Sequence, residues 1–365
     1  ENSNDEHKTF RYFYERFSEK KEASREEWLK VQWNTVTQIY QTFSEWYHDY
    51  KLYHYIGYLV TINKSVDLNE LLQKWKEASK QAFVKAIKDK IKRVINGVIP
   101  KARKKESEEK SKTNEGFWDY SYDTNPDEGK KTEPKTSCVP ILLLHNIETI
   151  IQQNDKFVSE SKYKMPNFTK FPFHLYKKEK WNVEHIRPNA GDDLKDEETR
   201  KLYLLIAKKY LPSDSELVKK IDAYVTPQKT EASSINFEDL YNEILSVGNV
   251  LEDNEKNKIW NFVLLDESSN KGYRNAIFPV KRAYLAEKER GIKVYYKIKD
   301  GKLDESEKTS QIAFIPPCTR NVFAKVYTPV PDNMLAWTKT DAKEYLEDLK
   351  EKLSDYLEKN EETRK

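Results

Sequence analysis

Cysteine is nearly absent: Cys138 and Cys318 are the only two, and they form neither a CxxC pair nor a disulfide framework. A reducing cytoplasm is the compartment this usage fits. Glycine is scarce, with nine in 365 residues. That scarcity, beside abundant Lys and Asn, suits long helices better than a glycine-dependent sandwich or barrel. Long apolar runs are missing too. The best candidate, the segment 138–145 reading CVPILLLH, is far shorter than the ~20 residues needed to cross a bilayer. It reads as a short core segment, and no membrane partner is expected. No secretory signal opens the chain. A large charge imbalance is also missing: the net charge is +3, so a nucleic-acid surface has to come from local clustering.

What is present is charge, at 34%, and aromatic residues, at 13%. So much Tyr, Phe and Trp can bury a core despite the polar balance. The chain is long enough for two or three domains. Helical spacing runs from about 26 to 58, where Val36, Ile39, Tyr40, Phe43, Tyr47 and Tyr50 make one stripe. This stripe reads as a core face rather than a base-stacking surface. A second helix is expected over about 68–95. The segment 101–116 reads as an exposed linker. A buried helix is expected after Pro140, with His145 a satisfied core histidine, as are His48 and His54. A helix is expected over 201–211 and another over about 237–247, with a β-like run at 259–266. A helix interrupted at Pro279 follows, then a strand and turn at Asp300-Gly301. The last helix, over about 340–359, is expected to be capped by Thr340 or Asp341.

Four polar residues stand out between these elements: Glu184, His185, Asn261 and Asn270. Phosphodiester hydrolysis needs a base for the attacking water, and a neutral imidazole serves near neutral pH. It needs a hard cation for the charge on the phosphoryl and departing 3′ oxygens, held by carboxylate and amide oxygens. It gains from an amide carbonyl that accepts Nδ1–H and fixes the imidazole tautomer. A β-hairpin followed by a helix delivers all three. Glu184-His185 end one strand-like stretch, Asn261 starts the next, and Asn270 lies nine positions later (270 − 261 = 9). Read singly, the Glu-His pair is surface decoration and the two Asn are caps or turn residues. Asp266 and Glu267 lie close enough to replace Asn270 as a ligand.

The stretch WNVEHIRPN resembles the signature of the HNH, or His-Me finger, superfamily, and NFVLLDESSNKG resembles its second half. More closely, 170–189, 259–285 and 314–327 resemble the C-terminal nuclease region of GmrSD-like type IV restriction enzymes and of phosphorothioation-linked defence nucleases. The aromatic stretch 46–60 resembles the helical part of that family's N-terminal nucleotide-hydrolysing domain. The resemblance implies an α+β, mostly α-helical protein with a ββα-metal nuclease core. It implies a DNA endonuclease, nicking or cutting both strands, that acts on invading phage DNA, possibly modified. His185 matches the general base, Glu184 and Asn270 the ligands of Mg2+ or Mn2+, and Asn261 the residue that orients the histidine. Lys281 and Arg282 match a basic helix, and with Lys271 and Arg274 they are expected to contact phosphate.

Where the family often has Gly, Trp260 precedes Asn261, and the family's DGQQR motif has no counterpart here. The expected divisions are thus a helical region over 1–170, continuing an absent nucleotide-hydrolysing domain, a nuclease over 171–300 with a helical insert at 188–258, and a strand-and-helix cap over 301–365. Glu1 in place of an initiating Met fits a piece of a longer protein. Two other functions are carried forward: a DNA-binding or modification-reading module with a vestigial site, and a protein-interaction regulator within a defence complex.

Overall fold

The computed structural model describes residues 7–62, 66–98, 138–160, 162, 169–188, 194, 196–227, 235–248, 250–267, 276–312, 314–331 and 333–356. Most of them are helical, and the sheets are small, two-stranded and antiparallel.

The long helix expected over 26–58 is two: α2 (Glu22–His48) follows the short α1 (Lys8–Ser18), and α3 is Tyr50–Ile62. The break is chemical. Asp49 leaves helical geometry, with ψ 115°, and its Oδ1 accepts from the backbone N–H of Lys51 and Leu52. An aspartate there satisfies the donors that open a helix, so a new helix starts. The 68–95 stretch divides in the same way into α4 (Leu68–Glu77) and α5 (Lys80–Val98). At the junction Ala78 is extended and Ser79 Oγ accepts from Ala82.

The buried helix after Pro140 is α6 (Val139–Glu160), and every residue from Ile141 to Ile151 is buried. A helix buried on all sides belongs at the centre of a core, and its buried polar side chains, among them His145 and Asn146, are hydrogen-bonded there. Around it lie α3, α5, the short α7 (Phe173–Lys178) and a β-ribbon of β1 (Asn182–His185) with β2 (Phe262–Leu265). Two C-terminal helices, α12 (Pro317–Phe323) and α13 (Lys339–Lys352), complete this core. One apolar cluster therefore joins residues 46 to 356 and crosses all three expected divisions.

All four residues of β2 are buried. Its outward carbonyls are answered by hydroxyls, Tyr345 Oη at 3.1 Å from Phe262 O and Thr319 Oγ1 at 2.7 Å from Leu264 O. A two-stranded ribbon can thus lie in a core without orphaned acceptors.

The insert has a core of its own. Helices α8 (Glu197–Lys208), α9 (Glu216–Val225) and α10 (Phe237–Leu245) pack together and onto one face of α11 (Phe278–Glu289), through Ala276, Ile277 and Val280. Pro279 sits in the first turn of α11. It begins this helix rather than interrupting one, because the first turn needs no N–H from it. Strands β3 (Ile292–Val294) and β6 (Lys308–Ser310) enclose the hairpin β4 (Lys297–Lys299) and β5 (Lys302–Asp304), which turns at Asp300-Gly301 with both φ positive.

Three further expectations are corrected here. The aromatic stripe of α2 is not a core face: Val36, Tyr40, Phe43 and Tyr47 are all exposed, while only Thr42 and Trp46 of that helix are buried. The last helix is capped by Thr338, whose side chain accepts from Asp341 N while the Asp341 carboxylate accepts from Thr338 N. This reciprocal capping box anchors the helix start one turn before Asp341. Of the expected core histidines, His54 and His145 are fully buried, whereas His48 is exposed.

Candidate functional site

The antiparallel ribbon sets His185 opposite Phe262 and Glu184 opposite Val263. Successive side chains of a strand leave on opposite faces, so the pair divides its work. The His185 ring packs edge-on against Phe262, with centroids 4.8 Å apart. Its Nε2 lies 3.0 Å from Asn257 Oδ1. An amide oxygen only accepts, so this contact places the proton of the neutral ring on Nε2 and its lone pair on Nδ1. Burial pushes the His185 pKa down, helped by the Lys281 charge, against the opposing pull of Asn257 and Glu184. The ring is therefore neutral at neutral pH, the form a proton acceptor needs.

Asn261 is fully buried at the mouth of β2. Its Oδ1 accepts from Arg187 N at 2.8 Å, and its Nδ2 donates to Arg187 O at 3.1 Å and Lys256 O at 2.7 Å. Its own backbone carbonyl accepts from Ile186 N. The amide is spent on backbone, so Asn261 fixes the strand exit two residues beyond His185. The amide at the imidazole is that of Asn257, which sequence reasoning did not single out. A polar residue four positions before Asn261 was the only signal for it.

Glu184 faces α11. Its Oε1 accepts from Lys281 Nζ at 2.7 Å, and the same ammonium donates to His185 O at 2.6 Å. Lys281 is 1% exposed. Burial pushes its pKa down and the Glu184 carboxylate pulls it back. The expected phosphate contact is thus corrected: Lys281 has no face toward solvent, and it ties α11 to the end of β1. Arg282, the next residue, is half-buried over the Tyr210 ring of the insert, at 5.6 Å. Asp266 does not stand ready as a ligand either, because it is buried against Lys288 Nζ at 2.5 Å.

The remaining expected residues, Asn270, Lys271 and Arg274, lie outside the described residues. Among the described residues no group of three or more His, Cys, Asp or Glu side chains is placed to hold a metal ion. Of the two expected ligands, only Glu184 lies among the described residues. With Oε1 given to an ammonium, Glu184 can serve such an ion only through Oε2.

Known proteins resolve this no further. The chain matches no family model, and no curated protein or solved structure matches it. Among the described residues no helix is long and apolar enough to cross a membrane.

Proposed function

We propose that this chain is a metal-dependent DNA endonuclease with His185 as its general base. One observation carries the reading. A neutral, amide-held histidine ends β1, an acidic residue precedes it, β2 pairs beside it, and α11 follows and bonds back to the same strand end. This strand-strand-helix order supports the reading.

In the proposed reaction the His185 Nδ1 lone pair accepts a proton from water. The water oxygen attacks phosphorus, the bond from phosphorus to the 3′ oxygen breaks, and that oxygen leaves to be protonated by solvent. The products are a 5′ phosphate and a 3′ hydroxyl. Asn257 keeps the proton on the opposite ring nitrogen, so the accepting atom stays the same. Glu184 Oε2, with Asn270, would hold Mg2+ or Mn2+. The chemistry that ion supplies when bound is neutralisation of the phosphoryl and leaving oxygens. Invading phage DNA, possibly modified, is the proposed substrate, and restriction the proposed role. We propose too that nucleotide hydrolysis and the control it exerts lie on a separate domain or on other subunits of a defence system.

The test is supercoiled plasmid incubated with Mg2+, with Mn2+ and with EDTA. Relaxation or linearisation should require the metal. His185→Ala should remove it by about 10²–10⁴-fold without unfolding the protein, as loss of a general base does. A base works deprotonated, and the pKa of His185 is lowered from 6.5. Cleavage should therefore rise with pH through an inflection below 6.5 and stay level across neutrality. Plasmid that is bound but never cut, under any metal, would instead support a binding module with a vestigial site.

A further inference from the structure

The least explained surface of the molecule is α1 with the first two-thirds of α2. At ~1.5 Å per residue, the 27 residues of α2 form a rod of about 40 Å. Its buried residues, Thr42 and Trp46, both lie near its C-terminal end. The rest stands away from the core. Leu29, Trp33, Val36, Tyr40, Phe43 and Tyr47 follow one another at intervals of four, three, four, three and four residues, and each is between 41% and 72% exposed. This is the 3.5-residue period of a coiled-coil seam, whose apolar positions seek a facing helix. Helix α1 has no buried residue at all, yet an isolated helix of its length is marginal in water. Its Phe10, Phe13, Tyr14 and Phe17 line one wall of a groove of about 1050 Å³, with Trp28, Leu29 and Trp33 on the other.

We infer that this hairpin is the interface with a second copy of the same chain, the two α2 helices running antiparallel across a twofold axis near residue 38. Charge selects the occupant. The positions flanking the seam are Lys30, Thr37 and Ser44 on one side and Gln32, Ile39 and Trp46 on the other, with Arg25 one heptad before Gln32, so two charges of one sign border it. A foreign helix chosen by ion pairs would need more. Charge also selects the direction. Parallel pairing sets Lys30 against Arg25 of the other copy, whereas antiparallel pairing sets it beside Ser44 and places Thr37 beside its own equivalent. The antiparallel arrangement also keeps the two cores at opposite ends of the rod. The six seam side chains with Phe10 and Tyr14 of α1, all exposed, each leave roughly 100 Å² to cover and together offer about 800 Å² per copy. That matches what one partner contributes to a standard stable interface. Such a surface is self-complementary, as a closed dimer requires.

This inference stands apart from the nuclease reading. Light scattering on the whole chain should give twice 43.3 kDa at tens of micromolar. Trp33→Glu with Tyr40→Glu should give the monomer mass with the helical circular dichroism unchanged. Thr37→Cys should form an intermolecular disulfide on mild oxidation, while the native chain should not, since Cys138 and Cys318 are each 1% exposed. A wild-type monomer throughout that range would overturn the proposal. A dimer indifferent to the double substitution would do the same, as would a Thr37→Cys protein that never cross-links. A monomer whose hairpin instead binds lipid vesicles would assign the face to a membrane surface.

Discussion

A lysine 1% exposed is tolerable only if its charge is answered, and Lys281 is answered by a carboxylate and a carbonyl from one strand end. Removing one member of a buried pair leaves the other uncompensated, which costs more than the pair contributes. Lys281→Met should therefore destabilise the fold by roughly 3 kcal/mol, the low end of the usual range because the Glu184 side chain keeps 14% exposure. Urea titration measures it, and Glu184→Gln added to Lys281→Met should recover part of the loss. An unchanged midpoint in the single variant would show that the pair holds nothing. None of this was legible in the chain, where Lys281 reads as one cation on a helix. Its partner lies 97 residues away, and no local pattern encodes that separation. Asn257 escaped notice for the same reason: its partner lies 72 residues away.

At the scale of elements, local signals performed well where a segment folds by its own pattern. The apolar run after Pro140, the terminal amphipathic stripe and the Asp300-Gly301 turn each became the element expected. They failed where one capping side chain divides a continuous pattern, as Asp49 divides α2 from α3. Helices α7 and α9 were not singled out at all, the first being only six residues long. Contact between elements sets a sharper constraint at Gly57 in α3. A Cβ there would overlap the Phe173 ring of α7. That ring is held by Tyr53 and Phe171, with centroids at 5.6 and 5.0 Å. Alanine gains about 1 kcal/mol of helix propensity over glycine, but overpacking costs about 1–3 kcal/mol. Gly57→Ala should lower the melting temperature by a few degrees. A higher value would mean that α7 shifts freely.

Across the whole molecule, two buried histidines join distant segments and titrate in opposite directions. His54 receives Phe171 N at 3.0 Å and contacts Tyr50 O. Burial pushes its pKa down to about 4. His145 contacts Asp348 at 2.6 Å and so ties α6 to α13. Burial opposes its charge most strongly, but Cys318 and Asp348 outweigh this and raise the pKa to about 9. The signs follow from linkage. His54 binds its proton more readily when unfolded, so its share of stability is present above 6.5 and is lost as pH falls toward 4. His145 binds its proton more readily when folded, so its share is present below 6.5 and is lost as pH rises through about 9. Each contributes up to about 3 kcal/mol at 1.36 per pKa unit. Denaturation midpoints across pH 4–9 should peak near 6.5. His145→Gln should flatten the alkaline side, and His54→Gln the acid side. A slope on the alkaline side that survives His145→Gln would place that titration elsewhere.

By itself the sequence determined the helical class, the central apolar helix and the placing of Glu184-His185 and Asn261 at facing strand ends, because periodicity and strand alternation act over a few residues. Only the tertiary structure decided that Asn257 holds the His185 ring while Asn261 binds backbone, and that Lys281 is buried rather than open to phosphate. It alone showed that one core joins the first division to the last. It also showed that the aromatic stripe of α2 lies open to solvent. A stripe announces that a helix seeks a partner, but whether the rest of the chain supplies that partner depends on how every other element packs.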